Sequence, residues 1–313
     1  MPNIIINNYC NQKCEYCFAE DNMNSKLKKD MGILTFIKIL KYLRQNNDPN
    51  IRILWWEPLL SSNIKRFLWL SIKWWFNTII FSNINIKNSK IREIFDNLVI
   101  NTWFRINCNI NNLEFYSSDE LENIGLNLEY LKRIWVNLIL WYNIYNLNKN
   151  ADFIFELAEK YNIQAINLKI TNSSLWSQLI IDNSQRDLGI YLYNLIQKYH
   201  QRFFIEFSCG LDQTIFLEEE LEYIKNYTNI TLRFGCDWNI WKFDINTNGT
   251  IFKCFPLQDL YKNNINTVDF LIKESISIEE NLDFLSNSFW KIVSHWECSG
   301  NSIIKYGSKP VMG

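Results

Sequence analysis

Ile4-Ile5-Ile6-Asn7-Asn8-Tyr9-Cys10-Asn11-Gln12-Lys13-Cys14-Glu15-Tyr16-Cys17 is the stretch that decides how the rest of the chain is read. A short β-branched run reads as a strand. Three cysteines follow it closely, so their thiolates can converge on one centre from a single loop at a strand end. Three thiolate ligands on a four-iron, four-sulfur cube leave one iron without a protein ligand. Such an iron can bind a small molecule and pass it an electron. The alternative is zinc, but zinc sites usually show paired C-x2-C units with a second pair downstream. This loop has a single C-x3-C-x2-C run.

Working outward, β-rich runs recur at Ile4–Asn7, Ile51–Leu54, Thr78–Ser82, Phe104–Asn109, Val136–Leu140 and Ala165–Ile170. Between them Leu34–Arg44, Ile64–Lys73, Asp152–Tyr161 and Asp187–Tyr199 carry apolar residues at three- and four-residue spacing, the helical period. Strand–helix alternation predicts a parallel sheet with helices packed outside it. After about residue 202 the pattern changes, and Asn246-Thr247-Asn248-Gly249 reads as a hairpin turn. We therefore expect two domains, 1–201 and 202–313.

The bulk properties exclude several classes. Lys plus Arg (32) nearly balances Asp plus Glu (33), so no strong field attracts nucleic acid or acidic lipid. No apolar run reaches the roughly 18 residues of a membrane span. Eight cysteines in 313 residues are too sparse for a disulfide scaffold. Without a signal-peptide pattern at the N-terminus, the expected setting is a reducing, anaerobic cytoplasm.

The C-x3-C-x2-C run with Tyr16 before its last cysteine resembles the radical S-adenosylmethionine (SAM) enzymes. The resemblance implies a partial (β/α)6 TIM-like barrel, with a smaller C-terminal α+β iron–sulfur module. In barrels of this kind the chemistry sits at the C-terminal ends of the strands, and Cys10, Glu57, Ser82 and Trp141 fall at or just after such ends. It further implies a [4Fe-4S] cluster on Cys10, Cys14 and Cys17 whose open iron binds SAM. Reductive cleavage of SAM would give a 5′-deoxyadenosyl radical that abstracts hydrogen from a substrate. Glu57 would help hold the amino group of SAM. Ser82 and Asn83, in Phe81-Ser82-Asn83, match the family's polar segment near its ribose and carboxylate, and Asn137 and Trp141 border the strand that often contacts adenine.

Leu54-Trp55-Trp56-Glu57-Pro58 stands where this family has Gly-Gly-Glu-Pro at the SAM-binding strand end. Glycines there let the backbone approach the ligand closely. Trp55 and Trp56, at some 150–250 Å² of surface each, would fill that space. Trp75 likewise stands where a helix end asks for Gly at positive φ, and Trp103, Trp135 and Trp141 border strands in surroundings suited to Gly. Glycine is scarce (9) and tryptophan abundant (13); together they approach the usual share of glycine alone, about 7%. Two readings stay open: a Trp-rich chain, or a gene whose UGA codons mean glycine, translated with a code that reads them as tryptophan. Trp69, in mid-helix, reads as an ordinary core residue.

Cys236 and Cys254 frame Cys-x12-Gly-x4-Cys around Gly249, which resembles the opening half of the SPASM module of peptide-modifying radical SAM enzymes. Of its second half only Cys298 is present; Asn301, Gly307 and Val311 stand at the other positions. The resemblance therefore implies one auxiliary iron–sulfur cluster, from Cys236, Cys254, Cys298 and Cys209; free core cysteines are the alternative. Cys108, inside a strand, reads as a core residue. His200 and His295 read as packing or surface residues. The expected substrate is a peptide or protein side chain, with an external flavodoxin- or ferredoxin-type electron donor. The competing classes are an inactive iron–sulfur or zinc binding protein, with SAM excluded by Trp55 and Trp56, and a peptide-docking partner subunit.

Overall fold

In the computed structural model, residues 2–17, 28–54, 56–100, 102–170, 185–211, 213–234, 243–252 and 266–281 are described. Eight strands form a parallel ladder in chain order: β1 (Asn3–Ile4), β2 (Asn50–Ile53), β3 (Asn77–Ser82), β4 (Arg105–Asn109), β5 (Asn137–Ile144), β6 (Ala165–Ile170), β7 (Phe204–Leu211) and β8 (Ile230–Phe234). Parallel neighbours require crossovers, and helices supply them: α1 (Ile33–Gln45), α2 (Ile64–Lys73), α3 (Asn88–Phe95), α4 (Ser118–Arg133), α5 (Asp152–Lys160), α6 (Gln185–Tyr199) and α7 (Glu218–Lys225). The ladder stays open, as in a partial barrel: β8 is one edge, and the other continues past β1.

That other edge is built by the far end of the chain. β9 (Asp244–Ile245) pairs in parallel with β1, turns through Asn246–Gly249 and returns as β10 (Thr250–Phe252), which pairs with β11 (Asn266–Thr267) ahead of α8 (Val268–Lys273). Asn3 donates from Nδ2 to Asp244 Oδ1 at 2.5 Å, tying the two chain regions side by side. The hairpin expected at 246–249 is present, with Gly249 at φ 84°.

The alternation of burial along the strands separates two faces. In β5, Leu138, Leu140, Tyr142 and Ile144 are buried in the core, whereas Asn137, Ile139, Trp141 and Asn143 point the other way. β6 repeats this with Ile166, Leu168 and Ile170 against Asn167 and Lys169. One face thus packs on the helices, and the other carries Asn137, Asn143 and Asn167 together with Ile139, Trp141 and Lys169. Cys108 is wholly buried in the core, and His200 packs against the rings of Tyr227 and Tyr223.

The six expected strands match β1–β6 to within a few residues, and β7 and β8 carry the parallel pairing beyond residue 202. Two tryptophans correct the sequence reading. Trp141 lies within β5, which runs to Ile144, and packs edge-on against Phe81 with ring centroids 5.1 Å apart; it is an ordinary strand residue. Trp69 is half-exposed beneath the Lys73 ammonium instead of in the core, because its position on α2 turns outward.

Among the described residues, one helical glycine is pressed against foreign backbone. A Cβ on Gly189, in α6, would lie 1.8 Å from the Ile215 carbonyl oxygen, in the 3-10 turn Gln213–Ile215. Gly189→Ala is expected to lower unfolding stability by about 2 kcal/mol, the scale of core overpacking, measured as the urea midpoint. An unchanged midpoint would mean that the turn shifts freely.

Candidate functional site

The cysteine loop leaves β1 and is bound at its start to the end of β2. Asn7 donates from Nδ2 to the Glu57 carbonyl oxygen at 2.8 Å, and the Glu57 N–H donates to the Tyr9 carbonyl at 3.2 Å. Tyr9 in turn donates its hydroxyl to Asp30 Oδ1 at 2.8 Å. Two strand ends are thereby held at one level before any cysteine is reached.

Glu57 joins the third strand. Its side chain is wholly buried and accepts three hydrogen bonds. The Leu59 N–H (2.9 Å) and the Ser82 hydroxyl (2.8 Å) donate to Oε1, and the Asn83 N–H (2.7 Å) donates to Oε2. Ser82 and Asn83 close β3, so this carboxyl couples the ends of β2 and β3. Burial pushes its pKa up to about 7, outweighing the three donors. The protonated form fits the geometry, since Oε2 takes a single bond and keeps a lone pair for the proton. Just beyond, Ile84 is fully buried at φ 46°, an uncommon conformation for a β-branched residue.

Neighbouring amides reach the sulfurs. Asn83 donates from Nδ2 to Asn11 Oδ1 at 2.9 Å, with Cys10 Sγ at 3.6 Å. Asn111, two residues past β4, donates to Cys14 Sγ at 3.1 Å, and its Oδ1 accepts the Tyr16 hydroxyl. Within the loop the Gln12 N–H lies 3.4 Å from Cys10 Sγ, and the Cys17 N–H donates to the Cys14 carbonyl at 2.9 Å. Burial raises the Cys10 thiol to about 12 and raises that of Cys14 as well, so both are held as thiols until a cation displaces the protons.

Among the described residues no three Cys, His, Asp or Glu side chains gather as ligands of a single metal ion. Cys10, Cys14 and Cys17 are soft sulfur donors on one loop, the ligand type that iron–sulfur clusters and zinc both take.

The structure therefore brings Cys10, Cys14, Glu57, Ser82 and Asn83 into one connected neighbourhood, with Cys17 on the same loop. Trp56 adjoins Glu57 at φ 47°. Trp55, Cys236, Cys254, Cys298 and His295 lie outside the described residues, and Cys209 belongs to β7 without a described side chain. Sequence reasoning missed Asn7, Asn85 and Asn111. Asn85 donates to the Glu120 carboxylate at 2.7 Å, where Glu120 and Ser117 form the capping box of α4. Polar residues just past strand ends were the available signal, and in so Asn-rich a chain it did not stand out.

The chain resembles several solved structures in fold. SuiB of Streptococcus suis bound to S-adenosylmethionine superimposes with a TM-score of 0.64 at 16% identity, over 99% of this chain and 75% of that one. SuiB bound to the precursor peptide SuiA gives 0.59 at 16% identity, over 85% of this chain; the match spans 62% of the SuiB chain. The enzyme anSMEcpe with bound AdoMet and the Cp18Cys peptide gives 0.61 at 13% identity, over 93% and 84%. No protein-family model and no curated protein matches the chain. At these identities the likeness establishes the fold: a mostly parallel α/β sheet of the partial-barrel type.

The raised Glu57 pKa has a sign that can be checked. The unfolded carboxyl titrates near 4.5 and the folded one near 7, so the folded state holds the extra proton between these values. Stability should fall as pH rises through that window, by about 3 kcal/mol. Glu57→Gln should lack this component when urea midpoints are compared from pH 4 to pH 8. Parallel pH profiles for the two proteins would show that Glu57 titrates normally.

Proposed function

We propose that the chain is a radical S-adenosylmethionine enzyme, holding a [4Fe-4S] cluster on Cys10, Cys14 and Cys17 and acting on a peptide or protein substrate. The observation that carries this reading is the three-cysteine loop, fastened by Asn7, Tyr9 and Glu57 to the C-terminal ends of a parallel ladder. The cluster would supply the electron that cleaves SAM to a hydrogen-abstracting radical. Glu57, Ser82 and Asn83 would orient the polar groups of SAM beside it, and the helix-packed strands would keep water from the far face of the sheet. SuiB and anSMEcpe, similar in fold, are seen with S-adenosylmethionine and with peptides, which supports both the cofactor and the substrate class.

The remaining parts of the proposal rest on sequence. Residues 202–313 carry an incomplete SPASM-like module with one auxiliary cluster on Cys236, Cys254, Cys298 and Cys209. The electron comes from a flavodoxin or ferredoxin type of donor, in the cytoplasm. One observation favours a second reading, an iron–sulfur or zinc binding protein without SAM chemistry: Trp56 stands beside Glu57, where a ligand would approach.

Anaerobic reconstitution with iron and sulfide, followed by SAM and a strong reductant, separates the two. The chain as written and Trp55→Gly/Trp56→Gly are both expected to bind a four-iron cluster by electron paramagnetic resonance, and the glycine variant to release 5′-deoxyadenosine. A cluster in both proteins with 5′-deoxyadenosine from neither would favour the binding-protein reading.

Asn111 offers a second test. A donor to a cluster thiolate favours the reduced, more negative state. Asn111→Leu should therefore lower the midpoint potential by tens of millivolts, about 1 kcal/mol for a one-electron couple. An unchanged potential in a redox titration would remove Asn111 from contact with the cluster.

A further inference from the structure

Three tryptophans hold backbone conformations that side chains avoid: Trp56 at φ 47°, Trp75 at φ 57° and Trp135 at φ 64°. In this left-handed region Cβ crowds the following carbonyl, and a bulky residue there is an outlier. Two of the three sit at an identical structural position. The Trp75 N–H donates to Ile72 O at 3.0 Å and the Phe76 N–H to Ser71 O at 2.9 Å, closing α2. The Trp135 N–H donates to Lys132 O at 2.9 Å and the Val136 N–H to Leu131 O at 3.0 Å, closing α4. This pair of bonds is the Schellman motif, whose left-handed residue is ordinarily glycine or asparagine.

The same motif recurs in this chain with suitable residues. Asn47 closes α1 and Asn162 closes α5 with the same two bonds, at φ 54° and 48°, and Ser275 closes α8 at φ 56°. Among the described residues, small or amide side chains thus fill the motif except at 75 and 135. Neither indole is compensated by burial, since Trp75 is 76% and Trp135 is 90% exposed. Trp74 and Trp141 meet no such demand for glycine: Trp74 keeps φ −96° and packs against the core, and Trp141 lies in β5 against Phe81.

We infer that residues 56, 75 and 135 are glycine in the protein its own cells make, their UGA codons being decoded there as glycine. The scarcity of glycine and abundance of tryptophan follow from the same cause. At 56 the consequence is functional. Glycine removes an indole from beside Glu57 and opens the end of β2 to close approach by a bound molecule. That this molecule is SAM rests on the proposed function; the residue identities do not.

Peptide masses of the protein purified from its native cells decide the matter. Glycine at 56, 75 and 135 is expected, and tryptophan at any of them overturns the assignment. Recombinant protein gives an independent readout that needs no cofactor. Trp75→Gly/Trp135→Gly should be more stable than Trp75→Ala/Trp135→Ala, by about tenfold in folding equilibrium for each site, because both remove the indole and only glycine relieves the backbone. Equal urea midpoints for the two double variants would show that neither position needs glycine.

Discussion

The architecture of the site turns on one buried carboxyl. Glu57 has no described cation beside it and accepts instead from two backbone N–H groups and a hydroxyl. Its own main chain is bound on both sides by the segment that becomes the cysteine loop. Strand pairing alone sets the spacing of β1, β2 and β3, but not where the chain leaves each strand. Glu57 sets those exits. Because a buried polar group without partners is costly, moving any one exit leaves a donor or acceptor unmet. The loop is thereby held in register with Ser82 and Asn83.

Asparagine does much of the remaining positioning. Around the loop Asn7, Asn11, Asn83, Asn85 and Asn111 donate to carbonyls, carboxylates and sulfurs. An amide can donate and accept at once without adding charge. On the proposed reading that matters, because the thiols would have to ionise to take up iron: a carboxylate in the place of Asn111 would oppose the thiolate, and a lysine would compete with the metal for it.

Much of the fold was legible in the sequence, for a specific reason. The short apolar runs of β2–β6 are rich in Ile and Leu, and the helices between them keep a 3.6-residue period, so both patterns point to one architecture. α3 and α4 were less visible, although Ser117 and Glu120 already spelled the capping box of α4. β7 and β8 were hidden by the change in composition after residue 202. In the candidate site, the cysteines and Glu57 stood out because of their spacing and their place at strand ends. Asn111 and Asn7 were not, because what selects them is where the strands end.

The left-handed tryptophans show how backbone geometry can question a residue's identity. Sequence alone could object to Trp55-Trp56, to a helix end at Trp75 and to strand borders at Trp103, Trp135 and Trp141, by analogy with what usually stands there. The structure adds a constraint independent of analogy: the carbonyls ending α2 and α4 are satisfied only if residues 75 and 135 turn left-handed. The chain accordingly adopts a glycine backbone at positions written as tryptophan, and the apolar C″ residues Phe76 and Val136 are buried as that motif requires. Where a strained conformation serves a binding site, surrounding contacts normally hold it in place. At Trp75 and Trp135 the side chains are in solvent and remote in function from the cysteine loop, so strain there has nothing to serve. Function explains a costly residue only where the residue touches the function, and these two do not.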